Sequence, residues 1–233
     1  ILWWDISTQC NRVWIHRLKV DLIDKMGSDL SVVNAARVSF AKKSNWDDIP
    51  FAEGNVLKDS DTRLIKYLAK HNHWSPFAHA SLQFHIKAPI FVARQLVKHQ
   101  VGLVWNEISR RYVDSEPEFY VPKVWRKRPP DSIKQGSDES DTITYGIEGT
   151  MMFVTQTYQN LLSEGVAPEM ARMVLPQNLY TEWYWSGTLY AFSRVCNLRC
   201  AEDTQSETRV IADGIQKICA KEFPISWKEL FDA

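Results

Sequence analysis

The apolar residues of this chain keep two different periods, and that restricts the kind of fold it can adopt. His79-Ala80-Ser81-Leu82-Gln83-Phe84-His85-Ile86 alternates with a period of two, the pattern of a strand with one buried face. Val13, Ile15, Leu18, Val20 and Leu22 predict a strand or strand pair across residues 13–24. Elsewhere the spacing turns helical. Residues 61–68 read as a capped amphipathic helix with Asp61 near its start. Pro89 opens a short helix expected to end near His99, with Gln95, Lys98 and His99 on one face. Ile147, Met151, Val154, Tyr158, Leu161 and Leu162 predict a helix over 142–163 that stops at Gly165. Further helices are expected over 168–174, 189–198 and 206–220, the last two joined by the polar segment Glu202–Gln205. Strands early and helices late predict an α+β or mixed α/β domain rather than strict βαβ alternation.

The chain has 233 residues, 45% of them hydrophobic, enough for one large domain or two small ones. Residues 126–141 have the composition of a mobile surface loop and are read as an insertion within a single domain spanning 1–233. Lys and Arg number 28 against 28 Asp and Glu, so no global field draws the protein to nucleic acid or an anionic membrane. Any anion must be held by local clustering. The four cysteines Cys10, Cys196, Cys200 and Cys219 match neither a zinc site nor a disulfide framework, and a reducing compartment is expected. No apolar run reaches the roughly 18 residues of a membrane span. Ile1–Trp4 is too short for a signal peptide, and the missing initial Met leads us to expect a truncated or processed start. The expected location is cytoplasmic, with no membrane partner.

Chemistry concentrates between Lys98 and Tyr112, where Lys98, His99, Gln100, Asn106, Glu107, Ser109, Arg110, Arg111 and Tyr112 supply more polar groups than folding requires. The nine glycines form neither G-x-G-x-x-G nor G-x-x-x-x-G-K, so a bound nucleotide must be held by side chains. Lys98, Arg110, Arg111, Arg172 and Arg199 are candidate clamps for phosphate or carboxylate. Arginines are ordinarily solvated, but Arg172 and Arg199 each sit inside an apolar stretch, which calls for a partner. Ser109 lacks a nucleophile elbow and reads as a binding hydroxyl. His71, His73, His79 and His85 lack the acidic or cysteine partners of a metal site, so no metal is expected. Cys196 and Cys200, one helical turn apart, are either redox-active or ordinary buried thiols. The aromatic run from Trp183 to Tyr190 offers stacking surfaces for a planar ring, or else a core or subunit interface.

Lys98 to Tyr112 resembles the signature R-H-R-x-x-S-x-N-x-x-S-x-R-Y of the flavin-dependent thymidylate synthases. His99, Asn106, Ser109, Arg111 and Tyr112 match when one extra spacer residue is allowed, while Lys98 and Gln100 stand in place of two arginines. Likeness extends over Ala35–Ser39, Ser75–His79, Phe84–Gln95, Glu118–Pro122 and Gly165 onward through Leu175-Pro176, Tyr180-Thr181, Asn197-Leu198-Arg199 and Gln205. The resemblance implies a central, mostly antiparallel sheet flanked by helices and a homotetramer. It implies reductive methylation of dUMP to dTMP, with methylenetetrahydrofolate as carbon donor and NADPH reducing a bound FAD, and no enzyme nucleophile. By position, Gln95, Lys98, Glu107, Ser109, Arg110, Arg111, Arg172 and Arg199 would hold dUMP. Arg199 would also be catalytic, favouring the N3-ionised uracil. His79, Ser81, Lys98, His99, Gln100, Glu107, Thr188, Tyr190 and Arg194 would lie against FAD. Two other readings are an inactive relative that only binds nucleotide, and a single-stranded nucleic-acid module built on the ten tryptophans and interleaved arginines.

Overall fold

In the computed structural model, residues 18–47, 56–129 and 137–231 are described. The chain runs β1 (Lys19–Met26), α1 (Asp29–Arg37), α2 (Asp59–Lys70), β2 (Ser81–Pro89), α3 (Ile90–Leu96), β3 (Leu103–Glu107), β4 (Trp125–Lys127) and β5 (Asp138–Ile143). It continues with α4 (Glu148–Ser163), α5 (Pro168–Ala171), β6 (Tyr180–Thr188), α6 (Leu189–Arg199), α7 (Ser206–Glu222) and α8 (Pro224–Phe231). Strands β1-β2-β6-β3, in that order, form one antiparallel sheet, and β4 pairs with β5 in a separate ribbon. The fold is thus mixed α+β, with an antiparallel sheet and flanking helices.

Alternation along β2 and β6 decides which face is covered. Leu82, Phe84 and Ile86 share one face with Trp183 and Trp185, all buried, and there meet Phe192 of α6 and Ile211 and Ile215 of α7 in a single core. Phe84 and Trp185 both meet the Phe192 ring edge-on, at centroid separations of 4.9 and 5.4 Å. The opposite face carries Gln83, His85 and Lys87 beside Glu182, Tyr184 and Ser186. Gly187 lets β3 approach β6, since a Cβ there would lie 2.6 Å from the Gly102 carbonyl oxygen and 2.4 Å from Leu103 Cδ2. Gly214 does the same for α7 against Val20 of β1, where an added Cβ would meet Val20 Cγ2 at 3.0 Å.

Several sequence expectations change. The run Glu182–Thr188 lies in a central strand, so strands are not confined to the first half. The polar stretch 126–141, expected as a loop, is strand at both described ends, through β4 and β5. The helix expected from residue 142 begins at Glu148, because Thr142 and Ile143 belong to β5. The first strand starts at Lys19, with positions 13–17 outside the described residues. His79 closes a 3-10 turn over Ser75–His79 rather than starting β2. None of the described helices is long and apolar enough to cross a membrane.

One buried charge ties the amino-terminal elements together. Asp61 is 0% exposed and accepts from Arg37 Nε at 3.0 Å, from Arg37 Nη2 and from the Ser44 hydroxyl. Asn34 and Ser44 are further joined by two backbone–side-chain bonds of 2.7 and 3.1 Å. A buried carboxylate stripped of its cation is strongly unfavourable, whereas loss of both charges is far milder. Arg37→Met is therefore expected to destabilise the fold by about 3–5 kcal/mol in urea unfolding. Arg37→Met combined with Asp61→Leu should recover much of that loss; equal losses in the two variants would contradict the assignment.

Candidate active site

Two helices bring the candidate groups together from opposite ends of the sheet. α3 springs from the end of β2 and α6 from the end of β6, where Pro89 pairs with Tyr180 and Ser81 with Thr188. Thr188 caps α6 by accepting from the Ala191 amide at 3.1 Å. The helices' far ends meet where Arg199 Nε donates to His99 Nε2 at 3.1 Å. That bond requires a neutral His99 carrying its proton on Nδ1. Burial, the Arg199 charge and then the Arg194 charge hold the His99 pKa below its ordinary value. Arg194 therefore belongs electrostatically to the same group of side chains.

Gln95, on the last turn of α3, lies beside this pair in sequence and is held by α7. Its Nε2 donates to Gln205 Oε1, and its Oε1 accepts from Thr208 Oγ1 at 3.2 Å. Lys98 and Gln100 are exposed on either side of His99.

A second cluster forms where β3 ends. Glu107 Oε1 accepts from Thr181 Oγ1 at 2.8 Å and its Oε2 from Trp105 Nε1 at 3.1 Å, so the carboxylate is held against the sheet edge. Glu107, Arg110 and Arg172 line a cleft of about 210 Å³ together with Lys87, Glu118 and Glu182. Arg172 is exposed and, among the described residues, is tied only through its Nε to the Glu169 carbonyl at 3.2 Å. Arg110 reaches the Ser115 carbonyl. Ser109 accepts from the Arg111 side chain at 3.1 Å, and the Arg111 guanidinium lies 4.9 Å from the centroid of Tyr112. The partner expected for Arg172 from its apolar neighbours is, among the described residues, the Glu169 backbone carbonyl, and Arg172 otherwise lines the cleft.

The remaining candidates occupy two more clefts. Ser81 and Thr188 line one of about 370 Å³ with Gly102, Gly187 and Val104. Tyr190 and Arg194 line one of about 140 Å³ with Trp74, whose ring lies 6.0 Å from that of Tyr190. His79 is exposed. Within one protomer, then, the groups fall into the His99–Arg199 junction and three separate clefts rather than one pocket. Sequence reasoning did not assign Trp74, Thr208, Glu207 or Tyr120 to this region; the one local signal was an acidic residue in the first turn of a helix, Glu207.

The donor set suits a flavin dinucleotide. Lys98 and Arg194 offer cationic charge for a diphosphate, Ser81 offers a hydroxyl, and Trp74 and Tyr190 offer ring faces. Gly102, at φ +79°, leaves the start of α6 open, since a Cβ there would crowd Ala191 Cβ at 3.1 Å. Among the described residues no three His, Cys, Asp or Glu side chains gather as metal ligands.

Comparison with known proteins follows the same lines. The family model described as "Thymidylate synthase complementing protein" matches residues 21–225. A flavin-dependent thymidylate synthase of Kosmotoga olearia is 39% identical over 216 residues, covering 90% of this chain and 88% of that protein. One from Thermus thermophilus is 42% identical over 214 residues, covering 89% and 73%. Among solved structures, the UMP/dUMP methylase PolB of Streptomyces cacaoi, bound with 5-Br dUMP, superposes with a TM-score of 0.75 at 28% identity over 94% of this chain and 97% of that one.

The lowered His99 pKa has a measurable consequence. Between about pH 6.5, where an unfolded histidine titrates, and the lower folded value, the unfolded chain binds more protons, so stability falls as pH drops. His99→Gln keeps an acceptor for Arg199 without a titrating ring. Thermal midpoints from pH 7.5 to 5 should fall more steeply for the parent than for His99→Gln, and parallel curves would exclude the neutral assignment.

Proposed function

This chain belongs to the flavin-dependent thymidylate synthase family, and from that premise we propose that it reductively methylates dUMP to dTMP using FAD. Methylenetetrahydrofolate supplies the carbon and NADPH the reducing equivalents. The observation that carries the reading is the Arg199–His99 junction. The other two guanidinium nitrogens of Arg199 make no hydrogen bond to the described residues, so a fixed cation is held ready beside the flavin candidates. Bound FAD supplies hydride chemistry; the side chains bind, orient and stabilise charge.

In this reading Arg199 faces the uracil and favours its N3-ionised form, because a neighbouring cation lowers that pKa. Neutral His99 keeps Arg199 oriented without adding a competing positive charge. Arg172, Lys98, Ser109 and Arg111 receive the phosphate and sugar, with Glu107 and Arg110 along the same wall and Gln95 directed by α7. Ser81, Thr188, Tyr190, Arg194, His79 and Gln100 receive the flavin. A protein thiolate is not needed: Cys196 and Cys219 are buried, and burial pushes both pKa values upward, which disfavours a nucleophilic form. The three cysteines among the described residues are free thiols, which accords with a reducing, cytoplasmic location.

We further propose a single catalytic domain assembled as a homotetramer. Exposed apolar side chains favour association, with Phe40 76%, Phe153 74%, Met173 69% and Val104 66% exposed. Val104 lines the same cleft as Ser81 and Thr188, so contact there would close a candidate flavin site. The nucleic-acid reading loses support, because Trp183, Trp185 and Trp227 are fully buried and Trp105 stacks on Trp183 at 4.4 Å.

Purified protein is expected to carry a flavin absorbance band that shifts on adding dUMP, and to form dTMP with folate and NADPH present. A colourless protein without turnover would overturn the proposal, while bound flavin without turnover would identify an inactive relative. Arg172→Ala removes a charged hydrogen-bond donor and should raise the KM for dUMP about 10- to 100-fold with flavin content unchanged. Light scattering should give four protomers per particle.

A further inference from the structure

The first turn of α7 joins the polar ribbon to the nucleotide side of the site. Five consecutive residues, 205 to 209, are tied in three directions. Gln205 and Thr208, three apart and so on one helix face, both bond Gln95 of α3. Ser206 and Arg209, also three apart, both bond Glu139 of β5, Arg209 Nη2 at 2.9 Å. Between them Glu207, only 5% exposed, accepts from Arg126 Nη2 of β4 at 2.8 Å on each oxygen and from the Tyr120 hydroxyl at 2.9 Å. Arg126 is steadied in turn by Nε donating to Ser137 Oγ at 2.7 Å.

We propose that the β4–β5 ribbon is a latch whose Arg126–Glu207 ion pair positions Gln95 for the nucleotide. Arg126 touches no candidate substrate group and is a positioning residue. The chain of contact is short: Arg126 to Glu207, through one helical turn to Gln205 and Thr208, then to both ends of the Gln95 amide. Burial is the largest influence on Glu207 and raises its pKa, but the Arg126 bond, the backbone bond, the Arg126 charge and the Tyr120 hydroxyl together outweigh it and hold the pKa below its ordinary value. Gln95 needs such help, since an unrestrained amide can flip and exchange donor for acceptor. With Gln205 accepting from its nitrogen and Thr208 donating to its oxygen, Gln95 has one orientation to present.

This inference rests on the proposed function, so the parent enzyme is assayed first; a parent without dUMP-dependent turnover overturns both. In an active parent, Arg126→Met should raise the KM for dUMP about tenfold while the KM for NADPH and kcat change little. It also strands a buried carboxylate and lowers stability. Arg126→Met combined with Glu207→Gln removes that stranded charge: the thermal midpoint should recover while the KM for dUMP stays raised. Arg126→Lys, which keeps a cation facing Glu207, should fall between parent and Arg126→Met in KM. A double variant that regains both midpoint and KM would reduce the ion pair to a purely structural contact and overturn the latch, as would equal shifts in the two KM values.

Discussion

The antiparallel pairing of β2 with β6 is the constraint from which the rest follows. Its nine-residue register, Ser81 with Thr188 through Pro89 with Tyr180, sets where α3 and α6 begin, one at each end of the pair. A nine-residue strand spans about 30 Å, and helices of 7 and 11 residues span about 10 and 16 Å. Two helices running inward from opposite ends therefore finish close to one another. That is why His99 and Arg199, 100 residues apart in sequence, share a hydrogen bond. A one-residue slip in register would move the starts of both helices and turn Trp183 and Trp185 out of the core.

A chain of zero net charge can still leave cations unpaired at particular places. Asp61 and Glu207 each cancel one arginine, Arg37 and Arg126, whereas Asp29 is spent on the Ile225 and Ser226 amides at the start of α8 and cancels none. Lys98, Arg172 and Arg194 are left exposed and without a salt bridge among the described residues. His99 stays neutral between Arg194 and Arg199 instead of adding to their repulsion. The unpaired charge is local: Arg172 shares its cleft with Glu107, Glu116, Glu118 and Glu182, whereas Lys98 and Arg194 flank the His99–Arg199 junction.

Much of this was legible in the sequence where signals were local. Period-two alternation located β2, and helical spacing located α2, α6 and α7 to within a few residues, whereas β3 lay unread in what the sequence shows as an apolar spacer. The aromatic run was open between a stacking surface and a core, and Trp183 and Trp185 take the core alternative; what went unread was the strand, although Glu182, Tyr184 and Ser186 alternate with Thr181, Trp183 and Trp185 as a strand requires. Residues 126–141 misled for a different reason. Their composition is that of a loop, and the described part is held by β4–β5 pairing and by contacts with α7 such as Arg126 with Glu207, 81 positions away, which no local rule can register. The Gln95–Gln205 bond, spanning 110 positions, was invisible in the same way.

Separation of the candidate groups into several clefts is itself informative. A protomer that completed its site alone would have little reason to leave Val104 on the lining of the Ser81–Thr188 cleft with two thirds of its surface exposed. Apolar surface beside polar binding groups is costly in water and favourable once another surface covers it. In the homotetramer we propose, folding would deliver partial sites and association would supply the walls that exclude water and strengthen each charge interaction within them. Protomer affinity and flavin affinity would then be linked quantities, each raised by the other.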